Sequence, residues 1–183
     1  ECEVAMMSQE IEGAKYEETD EYQVINLPYK NSEYSMVLTL PKGDRCIESV
    51  MSNTGWLDID LEDSDVQLYM PRFSFDNTFS FKDILSELGL KDIFESDDSL
   101  PYITDKPAYI SEIKQQCVIK VEEEGTEAAV VTMAECEVGC PPPFDMSQII
   151  TMVLNKPFGF AIKGELGQML FMGVVKNMDG KAL

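Results

Sequence analysis

Short apolar runs rich in β-branched and aromatic residues recur along the chain, and they constrain the fold more than any other feature. Most are bounded by glycine, proline, asparagine or aspartate, as strands are when turns connect them. The runs are Tyr22–Leu27, Tyr34–Leu40, Asp65–Phe75, Tyr109–Val121, Ile150–Leu154, Phe158–Ile162 and Met169–Val175. The first two are expected to pair as a hairpin, and the pattern of the last predicts burial on both faces.

A clear helical period occurs in one place, Ser80–Leu88. Its apolar residues recur at the spacing of one helix face, namely Phe81, Ile84, Leu85 and Leu88. Ser80 fits an N-cap and Gly89 fits the stop signal. Arg45–Met51 predicts a second, shorter helix. Together these patterns predict an α+β fold that is predominantly antiparallel β-sheet with few helices.

Length and charge limit the domain count and the classes of partner. With 183 residues, 44% of them hydrophobic, the chain can bury the core of one domain. Fourteen basic residues against thirty-four acidic ones give a formal charge of −20, which repels phosphate backbones and anionic lipid headgroups. Neither nucleic acid nor a membrane is therefore expected as a partner.

The titratable side chains exclude much of enzyme chemistry. The chain contains no histidine, so Ser–His–Asp and Cys–His nucleophiles and histidine-containing zinc sites are excluded. No cofactor or metal is expected. The five cysteines, an odd number at scattered spacings, leave the disulfide state open; they are Cys2, Cys46, Cys117, Cys136 and Cys140. Trp56 is expected to be a packing anchor without a functional role.

The segment that follows Tyr109–Val121 carries two conflicting patterns. Read as a strand, residues 126–137 place small uncharged side chains on one face, namely Thr126, Ala128, Val130, Thr132, Ala134 and Cys136. Every charge of the segment lies on the other face. Yet Pro141–Pro143, which cannot join a central ladder, follows after three more residues. An ordinary solvated linker and a loop able to become a strand both fit these residues.

Several stretches, in the expected order, resemble the C-terminal half of the serpin family. They are VINLPYKNSEYSMVLTLPKG after AMMSQ, VQLYMPRFSFDNTFSFKDILSELGLKDIFE, the hinge-like VEEEGTEAAVVT, NKPFGFAI and GQMLFMGVV. The resemblance covers nearly the whole chain. It implies that residues 1–183 are the C-terminal portion of a single serpin domain and that residues 122–149 within it form an exposed reactive-centre loop.

The resemblance implies a suicide-substrate inhibitor of proteases and not an enzyme. In such an inhibitor the protease cleaves the exposed loop, and the hinge inserts into the main sheet with the acyl-enzyme attached. The residues that match the hinge are Glu123, Gly125, Thr126, Ala128, Ala129 and Thr132. Gly125 supplies the backbone freedom needed at the pivot, and Thr126 is the first inward residue.

Two counts place the scissile bond differently. Counting from the hinge, the family spacing gives Gly139–Cys140; counting back from NKPF, it gives Met146–Ser147. Translocation is set by strand length, at roughly 3.3 Å per residue, so a hinge side longer by about seven residues would leave the acyl bond trailing. Gly139–Cys140 is therefore preferred, with Met146–Ser147 as the alternative.

Neither candidate bond follows a basic residue, so trypsin-like targets are disfavoured. The expected target is an elastase-like or chymotrypsin-like serine protease, with a cysteine protease as the alternative. A non-inhibitory serpin-fold carrier, chaperone or storage protein is the second functional class. Non-inhibitory members tend to carry charged or bulky inward hinge residues, and this hinge does not.

Three departures from the family pattern concern neighbouring residues and length. Gln115 and Gln116 replace a common histidine–basic pair, which removes a histidine-based pH trigger there. Val130 and Val131 stand where alanine-sized residues are usual. An ordinary serpin is about twice this length, so a missing N-terminal half is an expected partner, and a fragment and a truncated form both stay open. A secreted protein is expected, with an intracellular one as the alternative.

Overall fold

The computed structural model describes residues 6–30, 32–96, 100, 102–104, 106–122 and 149–176. These residues form two compact units. The first comprises the described residues up to Ser74 together with those from Lys120 onward, and the second spans Phe75–Ile119. Each unit is described separately below.

Nine strands account for most of the described structure. They are β1 (Met6–Glu18), β2 (Tyr22–Pro28), β3 (Ser35–Pro41), β4 (Glu62–Pro71), β5 (Phe73–Ser80), β6 (Lys114–Val121), β7 (Ile150–Val153), β8 (Phe158–Lys163) and β9 (Met169–Val175). Seven of them form one sheet in the order β7-β4-β1-β2-β3-β8-β9, and β5 pairs with β6. Only β4 and β7 run parallel among the paired strands of the large sheet. This confirms the predicted α+β class.

The predicted hairpin is present as β2 and β3. The two strands pair antiparallel from Tyr22 opposite Pro41 to Pro28 opposite Ser35. Residues 36–41 of β3 are buried without interruption, because this strand lies inside the sheet and both of its faces are covered. A strand in that position needs a continuous apolar run rather than an alternating one.

One face of the large sheet is covered by a short helix and a 3-10 turn. The helix, α1, spans Ile47–Met51, inside the predicted Arg45–Met51, and the turn spans Thr54–Leu57. Trp56 of this turn is 1% exposed and packs in one cluster with Val24, Val37, Ile47, Val50 and Ala161. The predicted packing role of Trp56 is confirmed.

β1 pairs with β4 on both sides of a bulge. Its first part pairs with β4, and its last residues pair with β4 and β2 on opposite edges. The register shifts between Ile11 and Ala14, where Gly13 has φ 60° and its amide donates to Asp65 Oδ1 at 3.0 Å. Glycine adopts this left-handed conformation at little cost, so the bulge follows from the sequence.

The second unit contains the predicted helix in a shorter, broken form. Helix α2 spans Lys82–Leu85, a π-helical turn follows over Ser86–Leu90, and helix α3 spans Asp92–Glu95. Gly89, with φ 96°, interrupts the helical geometry, as its predicted stop role requires. The predicted cap is wrong: Ser80 ends β5, and Phe81 is the N-cap, without a side-chain capping bond. The Phe81 amide still donates to Ile113 O at 2.9 Å, which delays the helix start.

Three predicted strands differ from the structure. The run Asp65–Phe75 is divided at Arg72 between β4 and β5. β6 begins at Lys114, not Tyr109. The prediction that Met169–Val175 is buried on both faces is wrong for its first four residues, which are 40–46% exposed. The reason is position: β9 lies at the end of the seven-stranded sheet and pairs only with β8 within the described residues.

Helices long and apolar enough to cross a bilayer are absent from the part of the chain that the structure describes.

Candidate functional site

The residues assigned to the hinge and the scissile bond lie outside the described residues. They are Glu123, Gly125, Thr126, Ala128, Ala129, Thr132, Gly139, Cys140, Met146 and Ser147. The structure instead describes the two strands that flank this segment. Strand β6 ends one residue before Glu122, and β7 begins immediately after Ile149.

The upstream strand, β6, alternates buried and exposed side chains toward its end. Ile119 and Val121 are 7% and 5% exposed, whereas Val118 is 62% exposed and Lys120 is exposed. Cys117, on the same face as Ile119, is half-buried. The last residues of β6 therefore carry a covered apolar face immediately upstream of the residues assigned to the hinge. Within the described ranges β6 pairs only with β5.

Polar contacts secure β6 near the hinge. Gln116 Nε2 donates to Asp76 Oδ1 of β5 at 2.7 Å, and Lys120 Nζ donates to the Glu122 carboxylate at 2.8–2.9 Å. The first contact joins an amide to a carboxylate. The amide belongs to Gln116, one of the two glutamines that depart from the family pattern. Sequence reasoning missed Asp76 as the partner, because no pattern in one chain specifies which residues face each other across two strands.

The downstream strand, β7, is fixed by burial and by a parallel pairing with β4. Its residues Ile150–Val153 pair with Val66–Tyr69. Met152 and the following Leu154 are fully buried, and the Leu154 amide donates to Tyr69 O at 2.9 Å. This four-residue strand therefore holds the C-terminal side of the loop to the large sheet.

The residues after β7 continue this attachment. The Asn155 amide donates to Val153 O at 2.9 Å, and Lys156 Nζ donates to Gly43 O at 3.4 Å. Phe158 at the start of β8 is fully buried, with its ring 5.7 Å from the Phe73 ring in an edge-on arrangement. The stretch NKPF, used to count back to the proposed scissile bond, is thus held by hydrogen bonds and by the burial of Phe158.

Side chains with shifted pKa values lie away from these two strands. Burial, with hydrogen bonding to Glu18, raises the pKa of Tyr16. Hydrogen bonds from Lys42 and Tyr16 lower the pKa of the Glu18 carboxyl. The Tyr16 hydroxyl donates to Glu18 Oε2 at 2.9 Å and accepts from Gln23 Nε2 at 2.9 Å. This network ties β1 to β2, and it is structural.

Neither metal ligands nor paired thiols mark a second kind of site among the described residues. No group of three or more cysteine, aspartate or glutamate side chains there is arranged to hold a metal ion. Cys46 and Cys117 are free thiols. The described residues on either side of positions 123–148 thus belong to two paired strands, β6 and β7.

Comparison with known proteins identifies the family of the chain. The family model Serpin (serine protease inhibitor) matches residues 1–178. Human Serpin I2 is 33% identical over 167 residues, covering 86% of this chain and 40% of that protein. Bovine Antithrombin-III is 32% identical over 187 residues, covering 96% of this chain and 39% of that protein.

Solved structures of serpins also superpose on this chain. Serpin48, described as a highly specific serpin of the insect Tenebrio molitor, superposes with a TM-score of 0.77 at 27% identity, covering 96% of this chain and 46% of that one. The thermophilic serpin Tengpin in its native state gives a TM-score of 0.72 at 27% identity, covering 95% and 46%.

The chain belongs to the serpin family, as the resemblance of its motifs implied. It spans about 40% of the length of the curated relatives it matches.

Proposed function

We propose that the protein is a protease inhibitor of the suicide-substrate type and that it does not act as an enzyme. The observation that carries the proposal is the serpin match across residues 1–178, which includes a segment with a small-residue inward face between β6 and β7. Residues 122–149 are then the reactive-centre loop of a single serpin domain, of which this chain is the C-terminal portion.

The physical basis of insertion is burial. A backbone hydrogen bond contributes about 1 kcal/mol net, while ordering a residue costs roughly 1–2 kcal/mol, so strand pairing alone does not drive insertion. Apolar area removed from water contributes about 25 cal/mol per Å². Thr126, Ala128 and Thr132 of the proposed hinge carry small, uncharged side chains. Their small inward side chains enter a sheet at low steric cost.

Strands β6 and β7 hold the two sides of a cleaved loop in different ways. The C-terminal side remains attached to β7, because Met152 and Leu154 are fully buried beside β4. The hinge side remains attached to β6 and is free to move once the bond is cut. After cleavage, the two new chain ends can therefore move far apart while the large sheet stays intact.

The proposed scissile bond is Gly139–Cys140, with Met146–Ser147 as the alternative. Neither Gly139 nor Met146 is basic, so the proposed target is an elastase-like or chymotrypsin-like serine protease rather than a trypsin-like one. A cysteine protease is the alternative target. Secretion fits a protease partner outside the cell, and an intracellular location is the alternative.

A missing N-terminal half of the domain is proposed as the second partner. Three apolar side chains around the broken helix of the second unit are exposed: Ile84 at 53%, Leu88 at 74% and Leu90 at 47%. Ile84 and Leu88 are among the residues whose spacing predicted a buried helix face. Their exposure, with the coverage of about 40% of each curated relative, supports a further segment that covers them.

The test is to incubate the complete protein with elastase, chymotrypsin and trypsin, and to analyse the products by denaturing gel and intact mass. A covalent complex with elastase or chymotrypsin, and none with trypsin, is expected. The released peptide should begin at Cys140; one beginning at Ser147 would establish the alternative bond. Rapid cleavage without any covalent complex would instead indicate a non-inhibitory carrier, chaperone or storage protein.

A further inference from the structure

The tyrosines of the chain differ sharply in how far the fold exposes them. Four are buried or half-buried: Tyr16, Tyr22, Tyr29 and Tyr69. Three are exposed: Tyr34 at 49%, Tyr109 at 52% and Tyr102 at 101%. Tyr102 is therefore the tyrosine whose phenol ring is fully open to solvent.

Tyr102 lies in a turn of the second unit, in the segment between α3 and β6. The Ile103 and Thr104 amides both donate to Leu100 O, at 3.1 and 3.2 Å. The Lys106 amide donates to Thr104 Oγ1 at 3.1 Å. All of these bonds join residues that are close in the chain, so the shape of the turn is set locally. Connecting segments of this kind lie on protein surfaces.

The sequence around Tyr102 is acidic. Within about five residues on either side there are three carboxylates, Asp97, Asp98 and Asp105, and one basic residue, Lys106. A segment that covered Tyr102 in the complete protein would remove some of these charges from water, which is costly without partners. We therefore expect Tyr102 to remain exposed there.

The other two exposed tyrosines lack this charge. The same window around Tyr34 holds one acidic and one basic residue, Glu33 and Lys30. Around Tyr109 the two signs are also equal in number. Tyr102 thus combines full exposure with a net negative neighbourhood.

We propose that Tyr102 is an acceptor for sulfuryl transfer and becomes a tyrosine O-sulfate. The donor is a phosphoadenylyl sulfate. The phenolic oxygen bonds to the sulfur, the bond from sulfur to the phosphate oxygen breaks, the nucleotide bisphosphate leaves, and a base of the transferase takes the phenolic proton. Because this donor is a polyanion, the site that binds it is cationic and attracts an acidic acceptor segment. The proposal rests on the proposed secretion, since sulfuryl transfer to tyrosine takes place in the secretory pathway.

Tyr22 shows why exposure is needed as well as charge. Four carboxylates precede it within five residues: Glu17, Glu18, Asp20 and Glu21. Charge alone would therefore favour Tyr22. However, its side chain packs against the cluster that contains Trp56, and its amide donates to Thr19 Oγ1 at 3.1 Å. A transferase has to enclose the phenol, and the fold withholds this one.

The test is to incubate the complete protein with a purified tyrosylprotein sulfotransferase and phosphoadenylyl sulfate, and to map the products by peptide mass. The peptide that spans residues 92–114 should gain one sulfuryl group. The gain should be lost in Tyr102→Phe and retained in Tyr109→Phe, which removes the other tyrosine of the same peptide. No gain on this peptide in the wild type, or a gain that persists in Tyr102→Phe, would overturn the proposal. A gain confined to the peptide that carries Tyr22 would also overturn it.

The flanking charge has its own readout. Replacing Asp97 and Asp98 together by asparagine should lower the rate of sulfuryl transfer to Tyr102 at least about fivefold, because the acidic segment is then less attracted to the cationic site. An unchanged rate would contradict the proposed recognition.

Failure of this proposal is separable from failure of the proposed function. A sulfated Tyr102 without a covalent protease complex would retain the modification site and reject the inhibitor. A covalent complex formed by a protein that the transferase leaves unmodified would do the reverse.

Discussion

Thr126 is the first residue of the proposed inward face of the hinge, five residues after Val121, the last buried residue of β6. Its role in the proposed mechanism is to enter a sheet, so what matters is size and lack of charge rather than reactivity. The same holds for Ala128 and Thr132. The absence of histidine from the chain is compatible with such a function, because the catalytic groups belong to the protease.

Thr126→Arg should convert the inhibitor into a substrate. An arginine that points into the sheet must be desolvated without a partner, at a cost of several kcal/mol, so the protease deacylates before it is translocated. The measurement is the fraction of protein that forms a covalent complex rather than cleaved product. Glu127→Arg, on the outward face, is the matched control and should leave this fraction close to that of the wild type. An unchanged fraction for Thr126→Arg would reject the hinge assignment.

Glu18 should contribute a pH-dependent increment of stability. Its pKa is lowered in the folded protein, so the unfolded state binds more protons as the carboxyl titrates. This stabilisation is fully present at a pH above the pKa of glutamate in the unfolded state, about 4.3. It is lost as the pH falls through the lower pKa that Glu18 has in the folded state. Because Glu18 and Lys42 are partly exposed, the increment is below about 1 kcal/mol.

Unfolding free energies of the wild type and of Glu18→Gln, measured from pH 7 to pH 3, test this assignment. The difference between the two proteins should shrink as the pH falls. Glu33→Gln serves as the control, because Glu33 is an exposed residue outside this network. A difference that stays constant with pH would show that the carboxylate charge is not what stabilises the network.

At the scale of elements, the strands of the large sheet were the most predictable. β2, β3, β8 and β7 carry unmixed apolar or alternating patterns, and their positions were predicted within two residues. β1 was not predicted as a strand, because glutamates interrupt its pattern and a bulge at Gly13 shifts its period. The parallel pairing of β7 with β4 could not be predicted either, since the composition of a strand does not specify which strand lies beside it.

The second unit and the candidate site were less predictable. The spacing around Ile84 is that of a buried helix face, yet Ile84 is 53% exposed. A periodic pattern identifies apolar side chains that favour burial, but it does not specify which segment covers them. For the site, the sequence indicated the order of strand, loop and strand. The Gln116–Asp76 contact required coordinates.

Replacement of Gly159 in β8 should destabilise the protein. A Cβ there would lie 2.5 Å from Met51 Sδ and 2.8 Å from Thr39 Cγ2. The fully buried Thr39 cannot move aside easily, so Gly159→Ala should destabilise the protein by about 1–3 kcal/mol. In Gly164→Ala the nearest atoms belong to the flexible Gln168 side chain, and a smaller loss is expected. Denaturant unfolding of both variants compares them, and equal losses would contradict this account of the packing.

At the scale of the whole molecule, the central claim is that the loop between β6 and β7 leaves its exposed position after cleavage and joins a sheet. Such a transition orders a segment and buries its inward face, so the cleaved protein should be more stable than the intact one. A carrier or storage protein of the same fold does not insert its loop. Its stability should therefore be unchanged or lower after the loop is cut.

The most direct test is the thermal unfolding of the complete protein before and after its loop is cut by a protease that it does not trap. The inhibitor account predicts a rise in Tm of about 10 °C or more on cleavage, as expected when several kcal/mol of strand burial are added. Thr126→Arg, cleaved in the same way, should show a much smaller rise, because its hinge cannot enter the sheet. An unchanged or lower Tm for the cleaved wild type would contradict the insertion mechanism.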